Sequence, residues 1–158
     1  MKIRLITFVV LAFTLAACEQ YKYDPSADAA KEFEGALSDA TRDDKYLMVV
    51  FGADWCPDCL KLHENLQSPE VSSYMSEHMD FMTVDIGDRD RNIGFASSLG
   101  VSIENGIPVA VFFDPSGKPI GATNNGQLEP SRYLTSRQIL RFIEAVVNKR
   151  EITRPTPS

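Results

Sequence analysis

Apolar positions along this chain change period several times, and each change predicts an element. Ala29, Phe33, Ala36, Leu37 and Ala40 recur at the spacing of one helix face, with Ser26 ahead of them as the expected N-cap. From Tyr46 to Ala53 the period vanishes, and Leu47, Met48, Val49, Val50 and Phe51 are consecutive, as in a strand buried on both faces. Pro57 suits a first helical position, where a missing N–H costs nothing, and Leu60, Leu62 and Leu66 carry that helix to about Gln67. Ser68, Pro69 and Glu70 open a further helix ending near His78. Phe81–Ile86 predicts a second buried strand, and Ile93, Phe95, Ala96 and Leu99 a short helix closed by Gly100.

Beyond it, Ile107 to Phe113 reads as a strand entered through Pro108, and Asp114-Pro115-Ser116-Gly117 as a turn into a strand near Lys118 to Ala122. Asn124-Asn125-Gly126 predicts another turn. Thr135 and Gln138 form a capping box ahead of Ile139, Leu140, Phe142, Ile143, Val146 and Val147, an amphipathic last helix. Residues 151–158, with two prolines, are expected to be a loose tail. Strands joined through helices pair in parallel and the hairpin adds antiparallel partners, so residues 26–150 are expected to form a single α/β domain, a mixed sheet flanked by helices.

The N-terminus carries a different message. Lys2 and Arg4 precede an uncharged run from Leu5 to Ala17, well short of the roughly 20 residues a membrane span needs. Residues 1–17 therefore read as a signal peptide expected to be removed. Leu15-Ala16-Ala17-Cys18 resembles the bacterial lipobox, which implies lipidation of Cys18 and a tether over residues 18–25. More than one acyl chain would hold the protein to a membrane facing the periplasm. Glu19 after the cysteine favours the outer membrane. Losing Lys2 and Arg4 shifts the net charge from −6 to −8, and the acidic residues are dispersed. No basic run supports nucleic-acid binding.

With Cys18 assigned to lipid, Cys56 and Cys59 remain. A disulfide between them closes too short a loop to be a useful staple. A cysteine where a buried strand meets a helix start lies among free amide hydrogens, which favours its thiolate, so Cys56 is expected to attack and Cys59, one turn on, to resolve. Carboxylates at Asp58 and Asp54 oppose that stabilisation, leaving the Cys56 pKa nearer about 7 than about 3.5 and the couple reducing. A zinc or copper carrier built from Cys56, Cys59, His63 and His78 is the metal alternative. Leu60 rather than histidine after Cys59 disfavours haem attachment. Trp55 and Phe51 are either a cover for the pair or core fillers. Lys61 either steers a partner or is solvated.

Trp55-Cys56-Pro57-Asp58-Cys59 after an apolar strand, with Gly106-Ile107-Pro108 some fifty residues later, resembles the thioredoxin superfamily. The similarity is strongest to periplasmic thioredoxin-like domains related to the C-terminal domain of the transmembrane thiol:disulfide interchange reductase. It implies a thioredoxin-like fold, catalysis by Cys56 and Cys59, modulation by Trp55, Pro57, Asp58 and Asp54, and no cofactor. It further implies that Pro108 is cis beside the pair, that Ile107 offers its backbone to a substrate, and that Gly126 borders the groove. The implied partners are protein disulfide clients and a membrane electron donor. Two departures point from a cytosolic role to an envelope one: Val50 replaces a buried aspartate of thioredoxins, and Glu64 replaces their helix-kinking proline. Asp54 is then either a substitute proton carrier or a solvated loop carboxylate. An oxidase, an isomerase and a non-catalytic adaptor share these residues.

Overall fold

A computed structural model describes residues 21–149 and 151–155. The expected signal peptide and the expected lipidation site, Cys18, lie outside them. Helix α1 (Ala29–Arg42) leads to β1 (Tyr46–Gly52), α2 (Pro57–Leu66), α3 (Pro69–His78), β2 (Met79–Asp85), α4 (Ile93–Ser98), β3 (Val109–Phe113), β4 (Pro119–Ala122), a 3-10 turn (Ser131–Tyr133) and α5 (Ser136–Lys149). The sheet order is β2-β1-β3-β4, with β1 parallel to β2 and antiparallel to β3, and β3 antiparallel to β4. The expected α/β architecture is therefore present.

Strand periodicity divides the core between two layers. Phe51 of β1 and Phe113 of β3 face a layer of α1 and α4, where Phe33 packs 5.2 Å from Phe113 and Phe95 lies 5.9 Å from Phe51. The opposite sheet face meets α5, with Phe112 and Phe142 edge to face at 5.8 Å. Helix α2 covers the same side where β1 ends, since the space beside Gly52 is occupied by the Cys59 sulfur. Phe51 is thus a core filler, on the sheet face away from Cys59.

The chain ends depart from expectation. Asp28, not Ser26, caps α1 by accepting from the Lys31 amide at 3.2 Å, while Ser26 closes a local turn onto Asp24 at 2.8 Å. Residues 21–25 are no free tether: Tyr23 is 1% exposed, and the Thr83 hydroxyl donates to the Lys22 carbonyl at 2.7 Å. Residues 151–155 are likewise held. The Glu151 amide donates to the Ala145 carbonyl at 3.3 Å, Gln127 donates to the Ile152 carbonyl at 3.4 Å, and Pro155 is buried. Apolar contact won over local polarity at both ends.

A buried polar staple fixes α2 against the start of α5. Asn65, 2% exposed, donates from its amide to the Leu134 carbonyl at 3.0 Å and accepts from Ser136 Oγ at 3.3 Å. The capping box forms as expected, with Gln138 Oε1 accepting from the Thr135 amide at 2.8 Å. An Asn65→Ala variant leaves the Leu134 carbonyl unpaired in the interior, and urea denaturation should show a loss of about 1–3 kcal/mol. An unchanged midpoint would remove this staple from the stability of the domain.

Candidate active site

Strand β1 delivers the chain through Gly52, Ala53 and Asp54 to Cys56, whose extended backbone (φ −89°, ψ 114°) makes it the N-cap of α2. Its sulfur stands where a cap oxygen usually does, accepting from the Cys59 amide at 3.3 Å. Pro57 occupies the first turn, as the sequence predicts. Both cysteines are free thiols, and the Cys56 thiol donates to the Ile107 carbonyl at 3.7 Å. The Ile107–Pro108 peptide is cis, and the loop that carries it lies against Cys56. Gly106 holds φ +102° before it, and Asn124 braces the preceding loop by accepting from the Ser102 amide and donating to the Gly100 carbonyl.

The two sulfurs experience opposite environments. Hydrogen bonding from Cys59 and from the amides of Cys59 and Asp58 lowers the Cys56 pKa from 9.0 to about 7, against burial and the Asp58 charge. Burial, followed by the hydrogen bond to Cys56, drives the Cys59 thiol well above its ordinary value. Cys56 is therefore the more readily ionised thiol, and Cys59 the one that keeps its proton.

Asp58 has a partner that local sequence does not reveal. It is 3% exposed, and the Arg132 backbone amide donates to it at 2.8 Å while the guanidinium engages both carboxylate oxygens, the shortest contact being 2.6 Å. The repulsion expected from Asp58 is thus offset by a cation from the 3-10 turn. Arg132 is a functional candidate missed in the sequence, since 74 residues separate the pair. Asp54 is not a freely solvated loop carboxylate: it accepts from the Lys22 and Tyr23 amides at 3.0–3.2 Å.

Trp55 is 52% exposed and donates from its indole to the Gly87 carbonyl at 2.9 Å, so it is a surface ring rather than a core filler. Pro57, Leu60 and Tyr133 are exposed as well. Lys61 pairs with Glu64 on the exposed side of α2. His63 packs edge-on against Phe81, its buried Nδ1 lacking a hydrogen-bond partner and its pKa lowered by burial, whereas His78 stacks on Tyr74 at the end of α3. Among the described residues, no three His, Cys, Asp or Glu side chains converge as a metal site, which leaves the metal-carrier alternative without a ligand set there.

Comparison with known proteins agrees with this geometry. The thioredoxin-like family profile matches residues 28–115, and the chain belongs to that family. The crystal structure of a disulphide isomerase from Xylella fastidiosa Temecula1 is 30% identical, with a TM-score of 0.77 over 81% of this chain and 98% of that one. A thioredoxin-fold protein from Helicobacter pylori (24% identity, TM-score 0.51, 68% of this chain and 72% of that one) and a thioredoxin from Thermus thermophilus (21%, 0.55, 74% and 85%) share the fold. No curated protein sequence matches significantly. Family, fold and the Cys56–Cys59 pair together support a thiol-disulfide oxidoreductase.

Two pH-dependent outcomes follow. Arg132→Ala should raise the Cys56 midpoint, followed by ultraviolet thiolate absorbance, by about one pH unit, because it uncovers a buried negative charge. Adding Asp58→Asn should reverse that rise; a rise that persists would exclude the carboxylate as its cause. Separately, a thiol whose pKa is lowered on folding stabilises the folded state as pH climbs from the folded to the unfolded value. The reduced protein should therefore gain stability relative to the oxidised form between pH 7 and 9 through Cys56. Above 9 the relation reverses, since Cys59 keeps its proton only when folded. Thermal melts of both redox forms across this range check both signs.

Proposed function

We propose that this protein is an envelope thiol-disulfide reductase that passes electrons to the disulfides of client proteins. The supporting observation is the pair of opposed thiols, with Cys56 lowered to about 7 beside the Ile107 carbonyl and Cys59 buried behind it. The Cys56 thiolate attacks one client sulfur, the client S–S bond breaks, and its other sulfur leaves as a thiolate. Cys59 then loses its proton, attacks Cys56 and expels the second client sulfur, leaving Cys56–Cys59 oxidised and the client reduced by two electrons. A thiol pKa near 7 accompanies reducing couples, whereas the strongest periplasmic oxidant lies near about 3.5.

Turnover in an oxidising compartment requires a reductant, for which a membrane dithiol donor has the right chemistry. Lipidation at Cys18 would place the domain beside such a donor, and Cys18→Ser should release the protein from membranes. A second reading is favoured by the Xylella neighbour, described as a disulphide isomerase. An isomerase uses the same attack but returns the bond to the client, with Cys59 as an escape.

Equilibration with glutathione buffers decides direction. The expected potential lies nearer about −270 mV than about −120 mV, and a value above about −150 mV would turn the reading to oxidase. Cys59→Ala should trap a client mixed disulfide that Cys56→Ala does not form. Equal trapping by both would overturn the assigned roles. Refolding of a scrambled client without added reductant, at a rate matching its reduction, would favour the isomerase.

A further inference from the structure

Position 50, where thioredoxins proper resemble one another in holding an aspartate, is Val50 here, wholly buried in β1, so no carboxylate from this strand reaches Cys59. What stands beside Cys59 instead arrives from outside the sheet. The strap of residues 21–25 crosses the end of β1 and is pinned twice: the Lys22 and Tyr23 amides donate to Asp54, and the Lys22 carbonyl accepts from Thr83. These bonds direct the Tyr23 side chain inward. Its hydroxyl reaches the Cys59 carbonyl at 3.5 Å.

Gly52 makes this possible. A Cβ on Gly52 would lie 2.7 Å from Tyr23 Cε1 and Cζ and 2.9 Å from Cys59 Sγ, so the ring and the sulfur share the space a side chain would take. The glycine φ is ordinary here, so close approach, not backbone freedom, demands the missing side chain. A phenol ring that excludes water from one side of a thiol raises the cost of its ionisation.

We propose that Tyr23 is a positioning residue of the redox pair: its ring, docked over Gly52 by the strap, keeps water and base from the Cys59 thiol so that Cys56 alone meets an incoming disulfide. This rests on the oxidoreductase reading. The order of attack follows from it. Cys56 forms the mixed disulfide first, and Cys59 surrenders its proton only in the second displacement, the proton being matched to the client thiolate released in the first. The charged and titratable groups facing Cys59 are Cys56 and Asp58 on α2 and Tyr23 on the strap; β1 contributes Val50 and Gly52, which do not titrate.

The test reads Cys59 directly in the full chain, in a Cys56→Ser background where the tryptic peptide 46–61 carries one thiol. Iodoacetamide labelling of that peptide is followed against pH. Tyr23→Ala should accelerate Cys59 labelling about tenfold or more at neutral pH and move its midpoint to lower pH. Gly52→Ala, which drives the ring out from the other side, should do the same, while Tyr23→Phe should stay within about twofold of the parent because the ring remains. Hydrogen exchange of β3 amides, measured in parallel, should not change. Labelling unchanged in both alanine variants, or rising only in step with β3 exchange, would overturn the proposal. The labelling needs no client, so a wild-type protein that fails to reduce insulin would sink the reductase reading while leaving this result to stand by itself.

Discussion

The sulfur of Cys56 acts as the N-cap of α2, and the chemistry and the architecture around it both depend on that one arrangement. A cap is required because the first amides of any helix have no acceptor within the helix. Here the acceptor is a polarisable thiol, so satisfying the helix and stabilising a thiolate are the same interaction. The same three-residue step that brings the Cys59 amide to Cys56 also turns the Cys59 side chain inward, where it is fully buried. One local geometry therefore gives the two sulfurs different surroundings.

That separation needs support from elements far away in sequence. Burying Asp58 beside a developing thiolate would be unfavourable alone, and Arg132 meets it with a backbone amide and a guanidinium together. An ion pair with one buried partner adds little net stability, since desolvation offsets attraction, but losing the partner leaves a charge stranded. The value of the pair here lies in the field felt by Cys56. On the other side of α2, Gly52 allows Tyr23 to lie against Cys59, and Asp54 holds the strap that carries it. Asp54, ahead of the pair, and Asp58, between the two cysteines, thus each have a structural partner from a distant segment.

Trp55, Leu60 and Tyr133 leave apolar surface exposed, whereas Cys56 is itself only 4% exposed. Large apolar side chains at a surface favour contact with a partner over contact with water. In such partly dehydrated surroundings the Ile107 carbonyl and the α2 amides act more strongly on the Cys56 sulfur than they would in bulk water.

Sequence alone determined the order of the elements, the sheet's mixed pairing, the placing of Cys56 at a helix start and the place of Pro108, because each is written in neighbouring residues: a period, a cap, a proline, a two-residue spacing. It misplaced the segments at both ends, since Tyr23 and Ile152 are isolated apolar residues in polar company, and no period marks a residue that packs singly. Its expectation that Asp58 opposes the Cys56 thiolate and leaves a pKa of about 7 agrees with the structure, but Arg132 beside Asp58 and the strap on Asp54 were not legible, because charge can be counted along a chain while its compensation cannot. Only the tertiary structure placed Arg132 on Asp58 and Tyr23 over Gly52, since those contacts join segments 74 and about 30 residues apart, and their existence depends on how helices and strap are laid against one sheet.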